Sequence, residues 1–290
     1  MKDALLLLRP HQWLKNLFVF LPLFFGGHLL ETVYLRPAVL VFLAYCFAAS
    51  GVYCLNDIHD AVSDRLHPKK RHRPIASGAV SRVRGYVLML VCFATSFAVI
   101  ALGRIHIAAA SIIVLYIAMN TAYCLILKHV ALLDVFVIAL GFVLRILAGG
   151  LATGISLSHW IVLMTFLLSL FLAFAKRRDD MLIYESGGAA VRDTLHRYSL
   201  SFINQAIAIV ASVTIVCYIM YTVSPDVTER LHSIHAYATS LFVLAGIIRY
   251  LQLTIVDAKS GSPTEVLLKD RFIHVCIAGW VALFVIILYF

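Results

Sequence analysis

Asn56, Asp57, Asp60 and Asp64 carry the strongest chemical signal in the chain. Asn56, Asp60 and Asp64 stand at i, i+4 and i+8, and Asp57 joins Asp60 and Asp64 at i, i+3 and i+7. On a helix these residues share one face, where like charges repel and destabilise it. A cation is needed to offset them. Oxygen ligands without thiolates suit Mg2+, which takes one or two carboxylates and fills its shell with water and substrate phosphate oxygens. The alternative is a solvated acidic helix end partnered by Arg65 and Lys69.

The run that follows is His67-Pro68-Lys69-Lys70-Arg71-His72-Arg73-Pro74-Ile75-Ala76-Ser77-Gly78. Two prolines and a glycine make it a loop. Its cations suit anionic lipid or phosphates already held by a metal. An acidic stripe for a metal beside a guanidinium-rich loop is what a diphosphate leaving group needs. A second basic cluster, Lys176-Arg177-Arg178, precedes Asp179 and Asp180, with Glu185 further on and no D-x-x-x-D spacing. It suits either an additional anionic substrate or the anchoring of a helix by its positive end.

The elements that must position these groups follow from composition. Of 290 residues, 62% are hydrophobic and only 13% charged, and mean hydropathy is +0.94. Soluble domains are roughly 45–50% apolar and about 25% charged, so a soluble enzyme and a disordered chain are both excluded. A spanning helix needs about 20 mostly apolar residues. Nine stretches qualify, over 13–30, 37–56, 84–103, 106–127, 133–152, 159–175, 200–222, 236–256 and 272–290. The first lacks a small-residue cleavage site and is read as a mature helix. The expected fold is an all-α polytopic membrane protein, a single domain of nine transmembrane helices over 1–290, with a suggested repeat of helices 2–5 in 6–9.

Twenty of the 24 Lys and Arg lie on the side of the N-terminus, three lie opposite, and Arg145 sits inside the fifth helix. Arg249 is counted inside as a residue that snorkels. The positive-inside rule then puts the N-terminus in the cytoplasm of a plasma (inner) membrane and, after nine spans, the C-terminus outside. Twelve of fifteen acids, including Asp134, share the N-terminal side. Acids contribute little to that rule, so their segregation asks for a cytoplasmic site. Six cysteines lie in or beside apolar helices without a C-x-x-C and read as packing residues. The 12 histidines are scattered without H-E-x-x-H, which argues against zinc; His59 lies off the acidic stripe.

Asn-x-x-x-Asp-x-x-x-Asp at Asn56, Asp60 and Asp64, followed by Arg-Pro-Ile-Ala-Ser-Gly from Arg73, resembles the UbiA-type intramembrane prenyltransferase superfamily, along the whole chain. Members that prenylate aromatic rings carry a second Asp-rich motif after the sixth helix, and this chain departs from that. Arg9-Pro10-His11-Gln12-Trp13-Leu14-Lys15-Asn16, Pro22-Leu23-Phe24-Phe25-Gly26-Gly27, Tyr123-Cys124-Leu125-Ile126-Leu127-Lys128 and Gly141-Phe142-Val143-Leu144-Arg145 instead resemble one branch, as do Lys176-Arg177 and Leu267-Leu268-Lys269-Asp270-Arg271. That branch transfers 5-phosphoribose from phosphoribosyl diphosphate to a polyprenyl (decaprenyl) phosphate, for lipid-linked arabinose and cell-wall synthesis.

The resemblance implies roles. Asn56, Asp60 and Asp64 hold Mg2+ and the donor diphosphate, with Asp57 in support. Lys69 and Arg73 clamp donor phosphates. Lys128, Lys176 and Arg177 hold the donor 5-phosphate or the acceptor phosphate, and Asp134 touches ribose hydroxyls or orients Lys128. Tyr123 and Lys128 are five apart and need a loop to bring them together. Arg145, costly within a span, faces a partner or floors the phosphate site. The partners are the two substrates and the membrane, with no nucleic acid; a homo-oligomer is compatible with this chain. Two rivals predict otherwise: an aromatic prenyltransferase calls for the missing second motif, and a transporter for more midspan charge than Arg145 provides.

Overall fold

The computed structural model describes residues 2–66, 70–185, 193–231, 233–258, 266 and 268–289. Among them there is no strand, and the chain falls into two compact units, residues 1–157 and 158–290. The division falls in the 154–158 loop, where the suggested repeats would meet.

In the first unit, the expected second to fifth spans are α3 (Thr32–His59), α5 (Arg82–Leu102), α6 (Ile107–Leu125) and α7 (Leu133–Thr153). The short helices α1 (Lys2–Leu8), α2 (Leu21–Gly26) and α4 (Ala61–Leu66) complete it. α3 packs on α5, α6 and α7. With 28 residues at about 1.5 Å each, α3 runs about 42 Å. That exceeds the roughly 30 Å hydrocarbon core, so an end of α3 stands clear of lipid. Ser96 Oγ donates to the Ala44 carbonyl at 2.8 Å, tying α5 to α3. Gly85 of α5 has no side chain because one would meet Ile75 Cδ1 at 2.9 Å and Ile58 Cγ1 at 3.1 Å. Leu7, Cys54, Ile58, Ala61, Ile75 and Val80 form one apolar cluster there, which joins α1, the end of α3, α4 and the basic loop.

The first expected span, 13–30, is not one α-helix. It is a 3-10 helix over Pro10–Phe20, followed by α2 and closed by Gly27 at φ 75°. Pro10 and Pro22 lack N–H groups and suit the openings of the two segments. Polar bonds hold the 3-10 segment: Trp13 Nε1 donates to Ser50 Oγ (3.0 Å) and, fully buried, Asn16 Nδ2 to Cys46 Sγ (3.3 Å). Gly149 of α7 permits its approach, since a Cβ there would stand 2.1 Å from the Val19 carbonyl oxygen.

In the second unit, α8 (His159–Glu185) packs on α9 (Leu200–Val223), and α11 (Ser240–Ile255) on α12 (Arg271–Tyr289); α10 spans Pro225–Leu231. α8 runs ten residues past the expected end at 175, because no glycine or proline interrupts it before Gly187. Lys176, Arg177 and Arg178 are therefore helical, not in a loop. Among the described residues, seven helices are long and apolar enough to cross a membrane, and Arg271–Ile287 is a shorter apolar helix. Nine spans is thus an approximate count.

Candidate active site

The acidic residues lie where α3 hands over to α4. The helix bends at Asp60, yet Asp60 N donates to the Asn56 carbonyl at 2.9 Å and Asp64 N to the Asp60 carbonyl at 2.8 Å. The i to i−4 register survives the bend. Asp57 and Asp64 are buried, Asn56 and Asp60 half-buried, and His59 is exposed, off the stripe as expected. Asn56 Oδ1 accepts from Cys124 Sγ at 3.6 Å.

Each carboxylate meets a cation from another segment. Lys128 Nζ donates to Asp60 Oδ1. Arg73 Nη1 donates to Asp64 Oδ2 at 2.7 Å and reaches Asp57 Oδ1 at 3.3 Å. Arg9 Nη2 donates to that same Asp57 Oδ1 at 2.6 Å. Asp57 Oδ2 is buried without a hydrogen-bond partner. Burial pushes the Asp64 carboxyl above its usual range, against the opposing pull of Arg73.

The cations are held by local structure. Arg65 Nε donates to the Ala76 carbonyl at 3.1 Å and Val80 N to the Pro74 carbonyl at 2.9 Å, folding the basic loop back on itself. Its turn at Gly78 needs φ 84°. Lys128 is buried on a 3-10 turn, Leu127–His129, and Leu132 at φ 70° redirects the chain into α7. Asp134, fully buried, lies in the first turn of α7. Lys69 lies outside the described residues.

Other expected site residues fall elsewhere. Tyr123 belongs to the apolar core of the first unit, with Tyr45, Tyr116 and Leu144. Arg145 is buried in a cage: Nε donates to Asn16 Oδ1 (2.7 Å), Nη1 to the Gly141 carbonyl (2.7 Å) and Nη2 to Tyr116 Oη (3.0 Å). The rings of Tyr45, Tyr116 and Phe142 lie within 5.6 Å of its guanidinium carbon. Its guanidinium is thus partnered within the first unit.

In the second unit, Lys176 is exposed, whereas Arg177 is fully buried and donates to Asp180 Oδ2 at 2.7 Å. Arg178 staples three helices, with Nε to Asn204 Oδ1 (2.8 Å) and Nη1 to the Thr254 carbonyl (2.6 Å). Arg249 does not snorkel alone: Nη2 donates to Asp270 Oδ2 at 2.8 Å. Asp270 Oδ1 also accepts from Ile273 N at 2.9 Å at the start of α12.

Arg9 is the site residue that motif reading missed. The available signal was an arginine directly before a proline, a restricted backbone position. Arg9 adopts φ 50° and ψ 58°, and its guanidinium lies 5.0 Å from the Tyr53 ring centroid.

The donor set is hard oxygen throughout. No group of three His, Cys, Asp or Glu forms a closed metal cage among the described residues. Mg2+ needs few protein oxygens when substrate phosphates complete its shell. The partnerless Asp57 Oδ2 is a buried oxygen that a cation would satisfy. Arg73, now on Asp64, is the cation a diphosphate would draw off, and Lys128, now on Asp60, is one that a different phosphate would draw off.

A profile described as the UbiA prenyltransferase family matches residues 18–275. The decaprenyl-phosphate phosphoribosyltransferase of Mycolicibacterium smegmatis is 34% identical over 97% of this chain and 91% of its own. The protein of the same name from Corynebacterium glutamicum is 34% identical over 97% of this chain and 85% of its own. A UbiA homolog from Archaeoglobus fulgidus, solved bound to GPP and Mg2+, superposes with a TM-score of 0.73 at 20% identity, covering 99% of this chain and 100% of that one.

Proposed function

We propose that this chain, which belongs to the UbiA prenyltransferase family, is a membrane enzyme that transfers 5-phosphoribose from phosphoribosyl diphosphate to a polyprenyl phosphate, releasing diphosphate. The observation that carries this reading is its full-length likeness to phosphoribosyltransferases, 34% identity over 97% of the chain. The departure from a second Asp-rich motif at 176–185 agrees with it.

Transfer at C1 of ribose passes through an oxocarbenium-like state. The acceptor is a phosphate monoester, ionised at neutral pH, so no general base is required. The work left to the protein is to position two polyanions and offset their charge. Asn56, Asp60 and Asp64 are the residues to hold Mg2+, with Asp57 in support. The metal would supply charge neutralisation to the leaving diphosphate. Arg73 moves from carboxylate to donor phosphate, and Lys69 is the second cation to clamp the donor. Lys128 releases Asp60 to grip the donor 5-phosphate, and Asp134 supports the ribose. In the second unit, the exposed Lys176 serves a phosphate and Arg177 acts through Asp180. Arg145 and Tyr123 support the site from the core. The charge distribution supports a cytoplasmic N-terminus and site, with the C-terminus outside a plasma membrane.

The test is incubation of the purified protein with Mg2+, labelled phosphoribosyl diphosphate and polyprenyl phosphates of several lengths. Lipid-linked phosphoribose is expected. Its absence, alongside transfer of a prenyl diphosphate to an aromatic acid, overturns the reading.

A further inference from the structure

Asp57 is paired asymmetrically. Its side chain is 1% exposed. Two guanidinium groups converge on Oδ1, Arg9 at 2.6 Å and Arg73 at 3.3 Å, while Oδ2 is buried without a partner. Arginine usually grips a carboxylate with two parallel bonds, one to each oxygen. Here neither arginine does so, and the oxygen left over is out of water and without a hydrogen bond, a costly arrangement unless a further cation belongs there.

The two arginines are not equivalent. Arg73 has a second carboxylate, Asp64 at 2.7 Å, and sits on a loop. Arg9 is fixed from several sides. Its backbone is left-handed at φ 50°, strained for a residue with a side chain. Pro10 follows at once and opens the 3-10 segment. Ser50 Oγ donates to the Leu8 carbonyl at 2.8 Å just before it and accepts from Trp13 Nε1 just after. The Tyr53 ring lies 5.0 Å from the guanidinium carbon.

We infer that Arg9 is a positioning residue that clamps Asp57 by Oδ1 alone and thereby keeps Oδ2 open for a divalent cation. The inference rests on the reading of this site as one for a metal and a diphosphate, and not on which group the diphosphate leaves. Arg9 stays on Oδ1 throughout, and Arg73 is the cation that exchanges its carboxylates for phosphate.

The sign of the expected effect separates this role from simple electrostatics. Removing a nearby positive charge should tighten the binding of a divalent cation. Removing a residue that orients a metal ligand weakens it, typically about 10–100-fold. The experiment is Mn2+ titration of the purified full chain in nanodiscs, read by electron paramagnetic resonance without substrate and again with inorganic diphosphate. Arg9→Gln and Asp57→Asn are each expected to weaken Mn2+ binding at least about tenfold. The double variant should be no weaker than the weaker single one, because both act through one oxygen. Arg9→Lys, which keeps the charge and is closest to the native side chain, should fall between wild type and Arg9→Gln and serves if the Gln variant does not fold. Unchanged or tighter Mn2+ binding in the Arg9 variants, or additive losses in the double variant, overturns the inference. These are binding readouts: the expected losses in a protein that makes no lipid-linked phosphoribose would sink the transferase reading and leave Arg9 its role.

Discussion

Lys128 Nζ donates to Asp60 Oδ1, joining residues 68 apart in the chain. The pair sets the middle acid of the stripe against a buried lysine from the α6–α7 connection, so the charge on Asp60 is already offset in a protein waiting for substrate. Asp60→Asn removes the charge and keeps the shape. Turnover is expected to fall by about 10²–10³-fold while thermal unfolding stays near wild type. Wild-type turnover by this variant would remove Asp60 from the metal site. Lys128→Met should lower kcat/KM for the donor by about tenfold or more, or about 1.4 kcal/mol.

Arg73 reaches both Asp57 and Asp64 through one Nη1. An ammonium cannot reproduce the planar fork with which a guanidinium grips a phosphate. Arg73→Lys is therefore expected to raise the donor KM by about tenfold, or about 1.4 kcal/mol, and Arg73→Gln by more. Steady-state kinetics at saturating acceptor checks both. Equal kinetics for Arg73 and Lys would count against a bridging role.

Arg145 organises the core beneath the 3-10 segment. Arg145→Met leaves Asn16 Oδ1, Tyr116 Oη and the Gly141 carbonyl without the donors they now have. Stability should fall by about 3 kcal/mol, seen as a lower unfolding temperature in detergent. Turnover should fall with it, since Asn16 belongs to the segment that carries Arg9 into the site. A stable variant with lost donor affinity would instead make Arg145 a phosphate ligand.

Asp270 carries a pH dependence. Its bonds from Arg249 hold its carboxyl below the usual range, aided by the Ile273 amide. A depressed carboxyl stabilises the fold above the ordinary carboxylate pKa, and this stabilisation is lost as pH falls through the depressed value. Asp270→Asn keeps a cap acceptor for Ile273 N and removes the ion pair. It should lower the unfolding temperature slightly at neutral pH, and the gap to wild type should close under acid. A gap that persists at low pH would show that the charge is not its source.

The spans from α3 to α12 were legible because hydropathy over about 20 residues tracks burial in lipid. The first departs from a single α-helix, because hydropathy does not distinguish a 3-10 segment, Pro10–Phe20, followed by a short α-helix from one continuous α-helix. The acids were legible because Asn56, Asp60 and Asp64 repeat with the helix period, a local property. Their partners were not, since Lys128 and Arg9 reach them only through tertiary folding. Arg9 in sequence stood at the head of a branch motif and among the cytoplasmic cations, with nothing local to tie it to Asp57. Arg177 and Arg178 fall beyond the sixth apolar stretch, 159–175, where hydropathy stops being a guide; extension of α8 buries both, and Arg178 is held by the Asn204 and Thr254 contacts.

The central claim is the transfer of the ribosyl group away from its diphosphate. The most direct measurement uses phosphoribosyl diphosphate labelled separately in the ribose and in the β-phosphate, with the purified protein, Mg2+ and polyprenyl phosphate. The account predicts that ribose label enters the lipid phase while an equal amount of β-phosphate label is released as water-soluble diphosphate, and that Asp60→Asn stops both. Both labels in the lipid, or neither in a preparation that prenylates an aromatic acid, would contradict it.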